Sequence, residues 1–256
     1  MKKVVKFGGS SLANAEQFQK VGDIIRSDES RRYVVPSAPG KRFDEDIKVT
    51  DMLYGCYDAA SKGEDITEKL NAIKERYYEI IKGLGLSLSL EEEFKKIDED
   101  FRAQAGIQYA ASRGEFLNGK IMAAYLGYDF VDAASVIRFD KDGNLEAEET
   151  NKLLSKKLSK SQHAVIPGFY GACADGTVKT FSRGGSDVTG SLVAKAIHAD
   201  IYENWTDVSG FLVTDPRIVH NPEPIEAITY RELRELSYMG ATVLHEDAIF
   251  PVRKEG

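Results

Sequence analysis

The residues of this sequence best suited to chemistry lie where apolar, strand-like segments stop at glycine. Near the amino terminus, an apolar run around Val4 and Val5 carries one lysine, Lys6, and ends at the paired glycines Gly8 and Gly9. A cation beside glycines, followed by the start of a helix with free N–H groups, is suited to binding a phosphate. The segment matches neither the P-loop nor the dinucleotide fingerprint. Taken alone, it is explained equally well as a plain tight turn, with Lys6 pointing outward from an alternating strand.

A second junction combines more polar groups. The segment SRGGSD, residues 182–187, follows an apolar stretch and opens a helical one. Asp187 as a simple helix N-cap is the plainer interpretation. That interpretation does not account for Arg183 beside two glycines, because a cap needs neither. A guanidinium next to accessible backbone is suited to a carboxylate or a phosphate.

Two further turns of small or polar residues complete the pattern. Residues 37–40, SAPG, close the second apolar segment, and WTDVSG at 205–210 closes a later one and is followed by DPR at 215–217. In open α/β sheets, ligands collect at the edge where the parallel strands end. The four junctions together predict a site for two anions, and the last of them is suited to a nucleotide.

The composition of the whole chain is that of an ordinary globular protein and argues against several functional classes. Its 256 residues are 42% hydrophobic and 29% charged, enough to build one large domain or two small ones. No apolar run approaches the ~20 residues needed to cross a bilayer, and no signal-peptide pattern opens the sequence. The net charge of −7 argues against broad binding to nucleic acid or to a membrane surface. The distant Cys56 and Cys173 predict reduced thiols in the cytoplasm, and the four histidines form no metal-binding pattern.

The elements that must position the four junctions alternate between strand and helix. A helix is predicted after the first glycines, with Ser10 or Ser11 as its N-cap, and residues 50–126 keep helical spacing almost throughout. Further helices are predicted at TNKLLSKKLS and DVTGSLVAKAIHA. Strands are predicted at VVKF, RYVVPSA, FVDAASVIRF, HAVIPGFYG, TVKTF and DIYENWTD. This alternation predicts one α/β domain with a parallel or mixed sheet covered on both faces, and a helical excursion.

Six motifs, in this order, resemble those of the aspartate kinases of the amino-acid-kinase superfamily: KFGGSS, VTDML, SRGE, GFYG, SRGGSD and WTDVSG…TDPR. The resemblance covers essentially the whole chain, and the motifs are specific as a set although each is weak alone. It implies a three-layer αβα sandwich with a mainly parallel central sheet. It also implies one catalytic domain over 1–256, whose N-terminal part binds the amino acid and whose C-terminal part binds ATP. The implied reaction transfers the γ-phosphate of ATP to the side-chain carboxylate of L-aspartate, giving 4-phospho-L-aspartate on the route to lysine, threonine and methionine.

The resemblance also implies roles for individual residues. Lys6 would reach the transferred phosphate, Asp187 would orient Lys6, and Arg183 would pair with a carboxylate of aspartate. Glu115, in SRGE, would hold the ammonium group of the substrate. The other residues implied for the amino-acid pocket are Ser37, Thr50, Phe169 and Ser186, together with Asp187. The residues implied for ATP, besides Lys6, are Gly8, Gly9, Ser10, Thr206, Asp207, Leu212 and Arg217. No metal site built by the protein is implied, because Mg²⁺ arrives with ATP.

A carboxylate acceptor sets the physical requirements of such a reaction. Its reference pKa is about 4, so it is ionised at neutral pH and needs no general base. It must instead approach a negatively charged phosphate, so catalysis is expected to rest on positioning and on charge neutralisation. For this reason no base is assigned to Asp187.

The sequence departs from the family pattern at three places. Leu212 stands where many members have tyrosine, Thr242 replaces a lysine, and Ser209 stands where aspartate is common. We expect these changes to alter nucleotide affinity more than reaction type.

Relatives usually continue into paired ACT regulatory domains. The sequence stops about where these would begin, which predicts a catalytic region without lysine or threonine feedback and a weakened homodimer. The alternatives are another enzyme of the same fold, such as a glutamate kinase, or a catalytically weak nucleotide-binding or regulatory fragment. The SRGE and VTD segments favour a substrate with a free ammonium, and Lys6, Arg183 and Asp187 together favour catalysis.

Overall fold

The structure, a computed structural model, describes residues 1–182, 184–206, 210–214, 219–238 and 251–252. In these residues the strands are, in chain order, β1 Lys3–Phe7, β2 Arg31–Pro36, β3 Asp129–Phe130, β4 Ala164–Val165, β5 Tyr170–Ala172, β6 Val178–Thr180 and β7 Ile201–Trp205. The helices are α1 Ala15–Arg26, α2 Val49–Ser61, α3 Thr67–Gly83, α4 Glu91–Arg102, α5 Ile107–Leu126, α6 Ala133–Val136, α7 Ala147–Leu158, α8 Gly185–Ala196 and α9 Tyr230–Tyr238. A short 3₁₀ helix, Ser10–Leu12, follows β1. None of the helices in these ranges has the length and apolar character of a membrane span.

The central sheet is parallel, with its strands in the order β3-β4-β2-β1-β7. β1 lies between two neighbours, so that Val5 aligns with Val34 of β2 on one side and with Glu203 of β7 on the other. β5 and β6 form a separate antiparallel hairpin. Because parallel strands end together, the segments that follow β1, β2, β4 and β7 meet at one edge of the sheet. This edge is called the carboxyl edge below.

Two hydrophobic cores cover the two faces of this sheet. Side chains alternate along each strand, so Val5, Phe7 and Val34 face a core built with α1–α5. Val4 and Val35 face a second core built with α6, α7 and α8. Helix layers on both sides of a parallel sheet confirm the predicted three-layer αβα sandwich.

The consecutive helices α2–α5 confirm the predicted helical excursion. Apolar residues recur at helical spacing in each, as in α4, where Phe94, Ile97 and Phe101 are buried. Burying a side chain of this size contributes about 1.5–3 kcal/mol relative to leaving it exposed. The excursion therefore forms, together with α1, one layer of the domain and packs directly on the sheet.

Two of the predicted strands are wrong in part. In 130–139 the strand stops at Phe130, because the Asp132 carboxylate accepts the N–H of Ala134 at 3.0 Å and so starts the short helix α6. The segment 163–171 forms two strands in different sheets, β4 and β5. Between them Pro167 has no N–H to donate to a ladder, and the chain bends as Gly168 N–H donates to Pro36 O at 3.1 Å.

The predicted cap of the first helix is also wrong. Asn14, rather than Ser10 or Ser11, caps α1, because its side chain accepts the N–H of Gln17 at 3.0 Å. The two serines lie instead in the 3₁₀ helix. They therefore remain next to the glycines at the carboxyl edge, and the long helix begins further along the chain.

Candidate active site

Lys6 is buried at the carboxyl edge of the sheet. The alternation of β1 places it on the same face as Val4, under helix α8, and only 8% of the residue is exposed. Its Nζ lies 2.7 Å from Oδ1 of Asp187 in the first turn of α8. The alternative of an outward-pointing lysine is therefore wrong, and the cation faces a carboxylate from another element.

Asp187 does not cap α8. The residue at the cap position is Gly184, which adopts the left-handed conformation with φ of 54°, and no side-chain hydrogen bond caps the helix. Asp187 Oδ1 is close to Lys6 without the alignment of a hydrogen bond, so the contact is mainly electrostatic. The Asp187 carbonyl accepts the hydroxyl of Tyr202 at 3.2 Å. The aspartate is thus held by its backbone while its side chain faces Lys6.

Gly8 and Gly9, called the glycine turn below, face different neighbours. A Cβ on Gly8 would lie 3.8 Å from Lys6 Nζ, so the backbone of Gly8 runs beside the ammonium group. A Cβ on Gly9 would lie 2.8 Å from Ala38 O and 3.2 Å from Gly40 N. Gly9 is therefore required by close packing against residues 37–40, which are called the proline turn below. Of the two, Gly8 is the glycine next to the cation.

The proline turn connects the glycine turn to helix α5. Ser37 N–H donates to Phe7 O at 3.1 Å, and Gly40 N–H donates to Gly9 O at 2.8 Å. On the other side, a Cβ on Gly114 of α5 would meet Ala38 Cβ at 2.8 Å. Helix α5 is thus fixed close to the carboxyl edge by this turn.

Glu115 is a buried carboxylate with an unused oxygen. Only 6% of the residue is exposed, and Oε2 has no hydrogen-bond partner among the residues that the structure describes. Burial raises its pKa to about 8, although the backbone N–H groups of Ala38 and of Glu115 itself and the charge of Arg113 act in the opposite direction. Thr50, at the start of α2, lies on the neighbouring side, with its Oγ1 3.8 Å from where a Cβ of Gly114 would stand. A cationic donor would satisfy both the charge and the free oxygen of Glu115.

The sequence interpretation missed two further unpaired polar atoms near this edge. Asn118, one turn after Glu115, is fully buried and donates Nδ2–H to Ser37 O at 2.6 Å, while its Oδ1 has no partner in the described part of the chain. Asn204 aligns with Lys6 across the β1–β7 pair, and its buried Oδ1 is also unpaired within those ranges. The signal was available: Asn118 lies at i+3 from Glu115, and Asn204 lies two residues before the predicted Thr206.

Phe169 and Ser186 meet between β4 and α8. Phe169 has φ of 79°, which is uncommon for a bulky residue, and its N–H donates to Thr189 Oγ1 at 3.2 Å. Its carbonyl accepts the N–H of Phe181 at 2.9 Å. Gly168 leaves room for Ser186, whose Oγ would lie 2.4 Å from a Cβ at that position. Strain held by hydrogen bonds on both sides is typical of a functional turn.

The other predicted site residues are less closely defined. Thr206 directly follows β7, and Leu212 lies in a bridge with Pro224. Arg183, Asp207 and Arg217 lie outside the described residues, as do the departures Ser209 and Thr242. Among the residues described, no group of three or more histidine, cysteine, aspartate or glutamate side chains could hold a metal ion. Cys56 and Cys173 are free and buried.

The described geometry offers two complementary groups, one in β1 next to the glycine turn and one in α5 next to the proline turn, and these two turns touch. Lys6, with the backbone of Gly8, supplies positive charge and access for an anion. Glu115, with the nearby Asn118, supplies acceptors for a group with several donors. A molecule carrying both an ammonium group and a carboxylate that meets a phosphate would fit this arrangement.

Comparison with known proteins gives concordant matches. A family model described as the amino acid kinase family matches residues 1–256. Among curated proteins, aspartokinase 3 of Bacillus subtilis is 40% identical over 270 residues, which cover 99% of this chain and 59% of that protein.

Solved structures give the same result. An aspartate kinase of Clostridium acetobutylicum has 52% sequence identity and a TM-score of 0.94, over 99% of this chain and 58% of that one. Aspartokinase III of Escherichia coli, in complex with aspartate and ADP, has 28% identity and a TM-score of 0.84, over 99% of this chain and 60% of that one. The chain thus spans about three fifths of the length of these relatives.

Proposed function

This chain belongs to the amino acid kinase family, and we propose that within it the chain is the catalytic region of an aspartate kinase. It transfers the γ-phosphate of ATP to the side-chain carboxylate of L-aspartate and releases ADP and 4-phospho-L-aspartate. The product leads toward lysine, threonine and methionine. A cytoplasmic location belongs to the same proposal and is supported by the two free thiols.

One observation carries this proposal: a buried cation in β1, next to the glycine turn, and a buried carboxylate in α5, next to the proline turn, are joined by the close contact of these two turns, and the carboxylate has an oxygen without a partner among the described residues. Lys6 approaches the phosphates beside Gly8, while Glu115 accepts the ammonium group of the amino acid. The relative from Escherichia coli, solved with aspartate and ADP, supports this pairing of substrates. A site for a substrate without an ammonium group would have little use for a buried acceptor such as Glu115.

The chemistry follows from the charges. An oxygen of the aspartate side chain forms a bond to the γ-phosphorus, the bond from that phosphorus to the β,γ-bridging oxygen breaks, and ADP leaves with the electron pair. The attacking carboxylate is already ionised, so no proton has to be removed. Lys6 neutralises charge on the transferred group, and Asp187 keeps the lysine in place. Asp187 therefore acts by orientation and accepts no proton from the substrate.

The remaining roles are part of the proposal. Arg183 binds a carboxylate of aspartate, and Ser37, Thr50, Phe169 and Ser186 shape the same pocket. Gly8, Gly9 and Ser10 line the phosphate channel, and Thr206, Asp207, Leu212 and Arg217 contact the nucleotide. In this proposal the N-terminal part of the domain supplies most of the amino-acid pocket and the C-terminal part supplies most of the nucleotide site, while Gly8, Gly9 and Ser10 reach the phosphates and Arg183 and Ser186 reach the aspartate from the other part.

Mg²⁺ would arrive bound to ATP, and it would supply neutralisation of the phosphate charge. Such an ion commonly keeps phosphate oxygens, waters and only one or two carboxylates. In the described part of the site, Asp187 is the carboxylate next to Lys6. This donor set fits an ion carried mainly by the nucleotide.

The proposal is tested by trapping the acyl phosphate with hydroxylamine in the presence of ATP and Mg²⁺. We expect hydroxamate with L-aspartate, and none with N-acetyl-L-aspartate, which lacks the ammonium group for Glu115. Hydroxamate with L-glutamate in place of L-aspartate would show a glutamate kinase. Nucleotide binding without any hydroxamate would show a regulatory fragment.

A further inference from the structure

Arg76, in helix α3 of the helical excursion, is a buried cation to which the mechanism above gives no role. Only 5% of the residue is exposed. Its Nη1 donates to Oδ2 of Asp46 at 2.9 Å and to the carbonyl of Ile47 at 3.3 Å. Its Nη2 donates to the carbonyl of Gly40 at 3.1 Å in a buried hydrogen bond. The side chain thus joins the excursion to the proline turn.

Gly40 in turn fixes the glycine turn. Its N–H donates to Gly9 O at 2.8 Å. A Cβ on Gly40 would lie 2.6 Å from Gly9 C and 2.8 Å from Ser10 N, so the two backbones are already in close contact. Because so little space separates them, a displacement of Gly40 must displace Gly9 and Ser10.

The hydrogen bond to Gly40 distinguishes Arg76 from an arginine with a purely structural role. Asp46 neutralises the charge and, with Ile47, already satisfies one end of the guanidinium. The other end holds the backbone of a turn at the carboxyl edge. A planar guanidinium can do both at once, because its donors point in fixed and different directions.

The rest of the proline turn is held in the same way by the excursion. Asn118 of α5 donates to Ser37 O at 2.6 Å, and Val49 N–H at the start of α2 donates to Pro39 O at 3.3 Å. Three helices of one layer thus bind three successive parts of this turn. Arg76 supplies the contact nearest to the glycine turn.

We propose that Arg76 is a positioning residue for phosphate binding, acting through Gly40 on Gly9 and Ser10. The inference rests on the proposed function, because it assumes that the glycine turn receives the phosphates. The helical excursion then serves nucleotide binding although it contributes no side chain to the phosphates.

The test compares Arg76→Met with two matched variants of the same chain. Asp46→Asn removes the ion pair but leaves Arg76 able to hold Gly40. Arg31→Met removes a largely buried arginine that likewise binds a carboxylate, Glu203 at 2.9 Å, and a backbone carbonyl, that of Ile24, but donates no hydrogen bond to the glycine turn or the proline turn among the described residues. Two quantities are measured for each: amide hydrogen exchange in peptides covering 8–12 and 36–41, and the dissociation constant of Mg·ADP by calorimetry.

With Arg76→Met we expect faster exchange in both peptides and a dissociation constant for Mg·ADP raised on the order of tenfold, because the glycine turn loses its alignment. Asp46→Asn and Arg31→Met are expected to stay within about twofold of the parent chain. If Arg76→Met fails to fold, the double variant Arg76→Met/Asp46→Asn is used, since it leaves neither charge buried without a partner.

Equal effects of Arg76→Met and Arg31→Met on both quantities would overturn the proposal, because they would indicate general destabilisation. Faster exchange with unchanged affinity for Mg·ADP would also overturn it. These outcomes are separate from the proposed function, which the hydroxamate assay of the parent chain decides. A parent chain that does not bind Mg·ADP would overturn both the role of Arg76 and the proposed function.

Discussion

Two carboxylates of this molecule, Glu203 and Glu115, are both largely withdrawn from water and yet have opposite electrostatic behaviour. Glu203 accepts hydrogen bonds at 2.8–3.0 Å from Lys3, Arg31 and Trp205. Burial acts to raise its pKa, but these three donors outweigh burial, and the pKa lies below its ordinary value of 4.5. Glu115 receives no such set of side-chain donors within the described residues, and burial raises its pKa to about 8.

The difference separates a structural carboxylate in the sheet from a carboxylate proposed to bind substrate in helix α5. Glu203 belongs to a network with Lys3, Asp28 and Arg31, in which each charge has an opposite charge from the protein itself. At the carboxyl edge, Glu115 keeps an oxygen without a partner in the described ranges. An acceptor left unpaired costs stability in the free protein, and that cost is recovered when a ligand supplies the donor.

The largest effect is expected from the lysines of the two regions. Lys6→Met should lower turnover by about a thousandfold, because charge on the transferred phosphate is no longer neutralised, and should change aspartate affinity much less. Lys3→Met, the same change in the Glu203 network, should lower the melting temperature and leave turnover within about twofold. Hydroxamate formation measures the turnover of both variants, and thermal unfolding measures their melting temperatures. Near-normal turnover of Lys6→Met would remove Lys6 from the mechanism.

A smaller effect is expected from Glu115→Gln. The KM for aspartate should rise roughly ten- to a hundredfold, because a charged hydrogen bond to the ammonium group becomes neutral. In the proposed site, the ammonium group of aspartate binds the ionised form of Glu115, so in the parent chain binding should release a proton below pH 8, and affinity should increase as the pH rises toward that value. Calorimetry in buffers of different ionisation enthalpy measures the number of protons released when aspartate binds. Proton release that persists in Glu115→Gln would show that another group is responsible.

The most direct test of the comparison is the pH dependence of stability. Glu115 in the folded chain keeps a proton between its ordinary pKa of 4.5 and about 8, whereas the unfolded chain has lost it. Its contribution to the free energy of unfolding therefore falls as pH rises through this interval, by at most about 5 kcal/mol. Glu115→Gln should be more stable than the parent, with an advantage that grows from pH 5 to pH 8. Urea unfolding of both proteins at three pH values measures the difference in their free energies of unfolding.

Glu203→Gln is the matched control and should show the opposite sign. The lowered pKa of Glu203 means that its stabilisation is present above pH 4.5 and is lost as pH falls through its value in the folded chain. This variant should therefore be less stable than the parent at pH 7, with a difference that narrows on acidification. The same sign for both variants would contradict the contrast drawn between the two carboxylates.

The fold followed from the sequence wherever hydrophobic periodicity was long and regular. β1, β2 and β7 were predicted with small errors at their ends, and the helical character of residues 50–126 was predicted without its division into four helices, because burial on one face determines such patterns. The segment 130–139 was misassigned because its apolar residues suit a strand, whereas the capping of α6 by Asp132 is a local competition that composition does not reveal.

The site was predictable as a set of junctions but not as a set of contacts. Lys6 and Asp187 could be grouped because both stand at the carboxyl ends of strands or the starts of helices. Arg76 could not, because its importance lies in which carbonyl its side chain reaches, across a sequence separation of 36 residues. Only the packing of the excursion on the sheet brings those partners together.

The position of β1 has a consequence for how this chain is made. Lys2 and Asp200 are joined at the start of the β1–β7 pair, although 198 positions separate them. At about 5–20 residues per second, a ribosome needs roughly 10–40 s to progress from one to the other. During that interval β1 can pair with β2 but not with β7, and Lys6 cannot meet the aspartate of α8 until that helix has been synthesised. Lys6, the residue proposed to neutralise the phosphate, is therefore among the first residues to be synthesised, whereas α8 and β7, which surround it, are synthesised much later.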